Sequence, residues 1–251
     1  MVDVILNKIK GKKIVILGFG REGVSSYRFI RKHFPNMDLV AADRSEILDT
    51  TVFASDKHLH FVLGENYDQN LNDFDLVFKT PGVNLNDINY FIRPEKITSQ
   101  TELFLEAFGN QTIGVTGTKG KSTTSSLIYH LLSNGRGNAF LAGNIGIPFF
   151  NIIEELNKDS VVVAELSAHQ LEYTETSPHV AILLNMYQEH LYHFQTLSNY
   201  QLAKMNITKY QKSTDFLIYN AEDEHIPNLI KSHNYVRQFF KFGTPKSVDT
   251  G

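Results

Sequence analysis

The chain has 251 residues, 42% hydrophobic and 20% charged, with a formal net charge of −3, a composition typical of soluble globular proteins and without the basic excess that binding a nucleic-acid backbone demands. The absence of cysteine excludes disulfides, thiolate metal sites and a cysteine nucleophile together, which fits a reducing, cytoplasmic setting. No apolar run approaches the ~20 residues that span a bilayer, and Lys8, Lys10, Lys12 and Lys13 precede an apolar run too short for a signal peptide.

Short β-branched apolar runs alternate with longer amphipathic segments, the pattern of parallel strands joined by crossover helices, so the fold class is α/β. Residues 14–17 read as a strand that runs into Gly18-Phe19-Gly20-Arg21-Glu22-Gly23. A helix is expected over 24–34 with Val24, Tyr27, Ile30 and Phe34 on one face. After a turn at 33–36, residues 38–42 form the next strand, with Asp43 at its end. This is the strand, glycine turn, helix, acidic residue order of a dinucleotide fold. A third strand at 75–78 leads into Lys79-Thr80-Pro81-Gly82, whose proline fixes φ and whose glycine permits close backbone approach. These pieces make a Rossmann-like domain over residues 1–100.

A second domain is expected over 101–251. It opens with a helical stretch at 101–108 and a stop at Gly109-Asn110, followed by a strand at 112–116. The loop Thr116-Gly117-Thr118-Lys119-Gly120-Lys121-Ser122-Thr123 comes next. A helix over 122–133 follows, with Leu127, Ile128, Leu131 and Leu132 on one stripe and Asn134-Gly135 stopping it. Strands are expected at 161–164 and 180–184, and a helix at 200–210. No internal repeat or low-complexity segment interrupts the pattern.

The second glycine loop carries the strongest chemical signal. A strand feeding a glycine turn that opens a helix aims backbone N–H groups and the helix dipole at an anion. Lys121 reaches the β- and γ-phosphates in such a loop and the following Ser122, with Thr123 beside it, meets Mg²⁺. ATP is therefore the expected ligand, bound by Gly117, Thr118, Lys119, Gly120, Lys121, Ser122 and Thr123. The spacing departs from the strict P-loop, which wants glycine where this chain has Val115. Glu165 closes the apolar run 161–164 and is an oxygen ligand of the kind hard Mg²⁺ prefers, although a helix-capping or solvated carboxylate is the plainer reading. A surface role for His190, a turn role for Asn144, an exposed position for Lys204 and a purely structural turn at Gly18 to Gly23 are the corresponding plain alternatives.

Two nucleotide-type loops in one chain resemble the Mur ligases, ATP-dependent enzymes that extend the peptide of cell-wall precursors. Thr116 to Thr123 is similar to that family's ATP loop, including its departure from the strict spacing. Gly143-Asn144-Ile145-Gly146 and Glu165-Leu166-Ser167-Ala168-His169-Gln170-Leu171 resemble its next two motifs, and Asn185 to His190 and Lys204 continue the match in order. The glycine cluster at 18–23 followed by Thr80-Pro81-Gly82 is most similar to the branch that adds D-glutamate to UDP-N-acetylmuramoyl-L-alanine. The resemblance implies catalytic roles for Lys121, Glu165, His190 and Lys204, and metal contacts by Ser122, Glu165, His190 and a carbamylated Lys204. It further implies substrate contacts by Arg21, Glu22, Asp43, Arg44, Thr80, Pro81, Gly82, Asn144, Ser167 and Gln170, with ATP and Mg²⁺ as cofactors, in a monomer that contacts neither nucleic acid nor membrane.

The implied chemistry makes an acyl phosphate before the amide. Two anions must then meet, and at 4 Å each charge pair repels by about 4 kcal/mol at an effective dielectric near 20, which a divalent metal offsets. The chain departs from the family at Tyr192, where an acidic residue is usual, and at Ala168-His169, where Ser-Phe is commoner. It also stops before the family's third, C-terminal domain, so nucleotide and UDP-substrate binding with little ligation is the expectation if these residues are the whole product. Three readings compete: the ligase, a non-catalytic nucleotide-binding module, and an NAD-dependent oxidoreductase using the first glycine cluster, the last disfavoured because it has no use for a second phosphate loop followed by Glu165, His190 and Lys204.

Overall fold

Strand β1 (Ile14–Leu17) is completely enclosed, each of its four side chains contributing about 1.5–3 kcal/mol of transfer free energy, and it sits at the centre of the first of two parallel sheets. The computed structural model describes residues 1–88, 90–232 and 238–244. The chain divides into two units, Met1–Ala107 and Phe108–Gly251.

The first unit begins with helix α1 (Val2–Ile9), then β1, α2 (Arg21–His33), β2 (Leu39–Asp43), β3 (Leu59–Leu63), β4 (Leu76–Lys79), the two-residue β5 (Ile97–Thr98) and α3 (Gln100–Phe108). The sheet order is β3-β2-β1-β4-β5, every pairing parallel. The chain turns one way after β1 and the other way after β4, so the carboxyl ends of these neighbours form the topological switch point where α/β proteins bind ligands. Helix α2 starts three residues earlier than the periodicity suggests, because Gly20 already stands in extended conformation as its N-cap. Strand β3 lies at the sheet edge and exposes alternate residues, His60 and Val62, which hides it from a search for buried apolar runs.

The second unit contains β6 (Thr112–Thr116), α4 (Lys121–Arg136), β7 (Ala139–Gly143), α5 (Phe149–Ile152), β8 (Val161–Glu165), α6 (Ala168–Leu171), β9 (Val180–Leu183), α7 (Leu191–Phe194), α8 (Leu197–Lys209), β10 (Phe216–Asn220), α9 (Ile226–Ser232) and β11 (Gln238–Phe242). Its six strands run in the order β11-β10-β9-β6-β8-β7, again all parallel. The carboxyl ends of β8 and β9 therefore flank that of β6, placing the residues after all three strands side by side.

Two expectations about α4 are corrected. The helix runs through Asn134-Gly135 and ends at Arg136, where Gly137 supplies the left-handed cap at φ 73°; a helix stops where the left-handed residue falls, and an internal glycine alone does not break it. The buried stripe is also displaced: Ile128, Tyr129 and Leu132 pack on the Val115, Val163 and Ile182 layer, Ser125 is fully buried, and Leu127 and Leu131 are 56% and 64% exposed. Counting leucines missed that the small Ser125 marks the inner face. No helix among the described residues is long and apolar enough to cross a membrane.

Candidate nucleotide and diphosphate sites

In the second unit the fully buried Thr116 ends β6, the chain turns through residues 117–120, and α4 opens at Lys121 behind Gly120, which adopts φ 83°. Gly117 is dictated by packing, since a Cβ there would stand 2.8 Å from the Leu184 Cβ and 3.3 Å from the Asn185 nitrogen. The departure from P-loop spacing has an equally local cause. Val115 faces the core, while glycine is needed one residue earlier, where a Cβ at Gly114 would meet Pro178 at 2.7 Å.

Ser122 and Thr123 lie exposed in the first turn of α4, whose N–H groups have no partner within the helix. Lys121 Nζ donates to the carbonyls of Gly117 at 2.9 Å and Thr118 at 3.2 Å. Lys204, from α8, donates to the same Gly117 carbonyl at 2.9 Å. Lys204 is only 1% exposed, so the plain reading of it as a surface lysine is overturned. Burial, reinforced by the nearby Lys121 cation and opposed by Glu189, lowers its pKa to about 7. Its Nζ also lies 4.8 Å from the centre of the Tyr200 ring.

Thr118 is turned inward. Its hydroxyl is 3.1 Å from both the Tyr187 carbonyl and the Tyr200 hydroxyl, and it accepts from the Tyr187 N–H at 3.0 Å. Its own N–H donates to the Asn185 carbonyl. The Asn185 side chain grips the next peptide on both sides, accepting from Lys119 N–H at 2.8 Å and donating to the Lys119 carbonyl at 3.0 Å. Lys119 in turn pairs with Glu189 at 2.9 Å. That hydrogen bond outweighs partial desolvation and, with the charges of Lys119, His190 and Lys121, holds the Glu189 carboxyl below its ordinary value.

On the β8 side, Glu165 is 1% exposed. Its Oε1 accepts from Asn144 Nδ2 at 2.7 Å, and its Oε2 is buried with no hydrogen-bond partner. Gly143 allows this contact: at φ 105° a Cβ would lie 2.4 Å from the Glu165 carbonyl, to which Asn144 N–H donates at 2.9 Å. Ser167 and Gln170 form a capping box on α6: Ser167 Oγ accepts from Gln170 N–H at 3.2 Å, and Gln170 Oε1 accepts from Ser167 N–H at 3.1 Å and from its hydroxyl at 3.2 Å.

On the β9 side, His190 caps α7 at φ 56°, with Nε2 3.6 Å from Glu189 Oε2 and its ring 4.9 Å from that of His169. The His169 ring meets that of His193 edge-on at 4.4 Å, and His193 bonds to Glu172 at 2.8 Å. Among the described residues no three histidine or acidic side chains are placed to hold a metal by themselves. The donors available around the loop are the bare oxygen of Glu165, the hydroxyl of Ser122 and the His190 ring. An orphaned buried carboxylate oxygen fits a hard, oxygen-seeking cation such as Mg²⁺.

The first unit carries its own glycine loop at the β1/β4 switch point. Gly18, at φ 89°, donates its N–H to the Ala42 carbonyl at 2.7 Å, and a Cβ on it would strike Thr80 Oγ1 at 2.1 Å. Both Asp43 oxygens are engaged, Oδ2 by Phe19 N–H at 2.6 Å and Oδ1 by Ser45 N–H at 2.8 Å, so this carboxylate fastens the loop to β2. A Cβ on Gly20 meets nothing within 4 Å, leaving the N-terminus of α2 at Arg21 and Glu22 approachable. Thr80 donates its hydroxyl to the Leu17 carbonyl at 3.1 Å, and Lys79, 3% exposed, lies under it with Nζ 3.4 Å from the Thr80 carbonyl. Arg44 and Gly82 are exposed, and Pro81, which precedes Gly82, is half-buried. Asn185, Glu189 and Tyr200 were not singled out from sequence as site residues. The signal lay in the unbroken run from Asn185 to His190, read there only as continuity.

Two parallel sheets, each with a glycine loop at its carboxyl edge, and a buried lysine and carboxylate around the second loop define an α/β protein with the architecture of nucleotide-binding folds. The sequence profile of the Mur ligase middle domain matches residues 115–250. The chain belongs to the Mur ligase family.

Among similar proteins, the UDP-N-acetylmuramoylalanine–D-glutamate ligase of Clostridium kluyveri is 35% identical over 238 residues, covering 92% of this chain and 52% of that enzyme. The ligase of the same name from Clostridium botulinum is 34% identical over 221 residues, covering 86% and 48%. The chain thus spans about half the length of the curated relatives it matches. In fold it is similar to the UDP-N-acetylmuramate:L-alanyl-gamma-D-glutamyl-meso-diaminopimelate ligase from Neisseria meningitides, with a TM-score of 0.57 at 17% identity, covering 93% of this chain and 78% of that one.

Proposed function

We propose that the protein is an ATP-dependent ligase of peptidoglycan precursor synthesis that joins D-glutamate to UDP-N-acetylmuramoyl-L-alanine. The observation that carries this reading is the orphaned Glu165 oxygen, buried at the strand end beside the loop on which Lys121 and Lys204 converge. A lone buried carboxylate oxygen is costly unless a ligand completes it. The relatives named D-glutamate ligases supply the specificity. The protein acts in the cytoplasm, as a monomer, without nucleic acid or membrane.

In this reading the N–H groups at the start of α4 and the Lys121 ammonium bind the β- and γ-phosphates, with Gly117 to Thr123 around them. Ser122, Glu165 and His190 would hold Mg²⁺, which would supply charge neutralisation between carboxylate and phosphate. Asn144 orients the Glu165 carboxylate, and Ser167 and Gln170 shape the adjoining wall toward substrate. The substrate carboxylate attacks the γ-phosphorus, ADP leaves, and the D-glutamate amine displaces phosphate from the acyl carbon to form the amide. In the first unit the N–H groups of Arg21 and Glu22 meet the diphosphate, and Asp43, Arg44, Thr80, Pro81 and Gly82 surround the uridine.

Lys204 acts as a carbamate. Addition of its neutral amine to CO₂ forms an N–C bond and releases one proton, and a pKa near 7 leaves about half of the amine neutral at that pH. The carbamate nitrogen retains one N–H, enough to keep its bond to the Gly117 carbonyl, and the new anion would add an oxygen donor for a divalent cation. The test is orthophosphate release from ATP. Release that requires both UDP-N-acetylmuramoyl-L-alanine and D-glutamate supports the ligase, whereas binding of ATP and the UDP compound without turnover supports a nucleotide-binding module instead.

A further inference from the structure

The Lys119–Glu189 pair sits on the loop that the proposed ATP site uses, yet that reading gives Glu189 no task. The Lys119 backbone is clasped on both sides by Asn185, and the Thr118 peptide before it is tied to the Asn185 carbonyl. The side chain is not so confined: it is 70% exposed and reaches Glu189, itself 32% exposed, at 2.9 Å. A fixed peptide bearing a free, long cation lets the ammonium change partners without any movement of the loop. Solvent-exposed ion pairs are weak, so this one can be exchanged.

Glu189 also stands near His190, at 3.6 Å, with the Lys119 ammonium on its carboxylate and the Lys121 ammonium on the Gly117 and Thr118 carbonyls of the same loop. It is thus an anion placed where a polyphosphate would need the charge. We propose that Glu189 is an exchangeable counter-ion of the phosphate loop: it holds Lys119 when the loop is empty and yields it to the incoming polyphosphate, while Asn185 keeps the peptide still. The inference rests on the phosphate-site reading. It adds that occupancy is set by competition between a protein carboxylate and the ligand for one lysine, so Glu189 lowers polyphosphate affinity while it keeps Lys119 poised.

The test uses the full chain, with tripolyphosphate and ADP as probes, in chelator to remove metal, and reads affinity calorimetrically. Glu189→Gln and Glu189→Ala should each tighten binding about threefold to fivefold. In a Lys119→Met background that gain should vanish, because there is no cation left to release. A merely structural role predicts the opposite sign, weaker binding in both Glu189 variants. Unchanged or weaker binding in variants with a native circular dichroism spectrum overturns the inference alone, as does a gain that survives Lys119→Met. Failure of the unaltered chain to bind either probe overturns the phosphate-site reading and this inference with it.

Discussion

Arg31 shows how one side chain can join two approaches to a sheet. From α2 it donates to Asp56 at 2.7 Å and to the carbonyls of Phe34, Pro35, Met37 and His58, tying the turn before β2 to the approach of β3. Its side chain is 17% exposed and that of Asp56 12%, so Arg31→Met should cost about 3 kcal/mol, measured by urea unfolding. Burial alone would raise the Asp56 carboxyl, but hydrogen bonds from Tyr27, the His58 N–H and Arg31 together hold it below its ordinary value. The folded-state pKa is therefore the lower one. Its stabilisation is complete above the unfolded carboxylate value near ~4 and is lost as pH falls through the folded value. Asp56→Asn should flatten that acid limb of the stability profile, and an unchanged limb would show that other carboxylates govern it. At the second site, Glu165→Gln should lower metal-dependent phosphate release by about 100-fold while metal-free ADP binding stays within about twofold. Lys204→Ala should be inactive and regain phosphate release with bicarbonate or small carboxylates; full activity without them would end the carbamate proposal.

At the scale of elements, strands buried on both faces were legible because nothing but a parallel interior explains runs such as 14–17, 112–116 and 161–164. The glycine loops were legible too, since strand, glycine turn and helix occur in that order in both. What escaped were β3 and β11, whose apolar residues are interrupted by His60 and Lys241, and β7 and β10, whose short apolar runs are only partly buried. The inner face of α4 escaped for a related reason, because its small Ser125 was outvoted by the exposed Leu127 and Leu131. Leu127→Glu with Leu131→Glu should leave the unfolding free energy within about 0.5 kcal/mol of the original, while Gly137→Ala, forced into the left-handed region, should cost about 1 kcal/mol. Parity between those two changes would mean that the helix end is not where Gly137 places it. Of the site, residue identities around the β6 loop could be read from motif order. The inward turn of Thr118 and the clasp of Asn185 could not, because both depend on β6 and β9 being neighbours, nor could the burial of Lys204, which depends on α8 reaching the loop after β6.

Across the whole molecule, each unit brings its own parallel sheet, switch point and glycine loop, so ligand effects should be separable. UDP should protect backbone amides of residues 18–23, 80 and 82 from hydrogen exchange, and ADP those of residues 117–123, each with little effect on the other set. Protection of both sets by either ligand would show coupling between the units. The first loop also bears on how such a protein changes over generations. Gly18 and Thr80 lie far apart in sequence, yet a single added carbon at one would overlap the hydroxyl of the other at 2.1 Å. Even if Thr80 first shrank to alanine, the positive φ of Gly18 would still disfavour any side chain there. Drift is thus one-sided: position 80 has neighbouring sequences open to it, whereas every substitution path through position 18 leads downhill. A library randomising both codons should recover variation at 80 and almost none at 18.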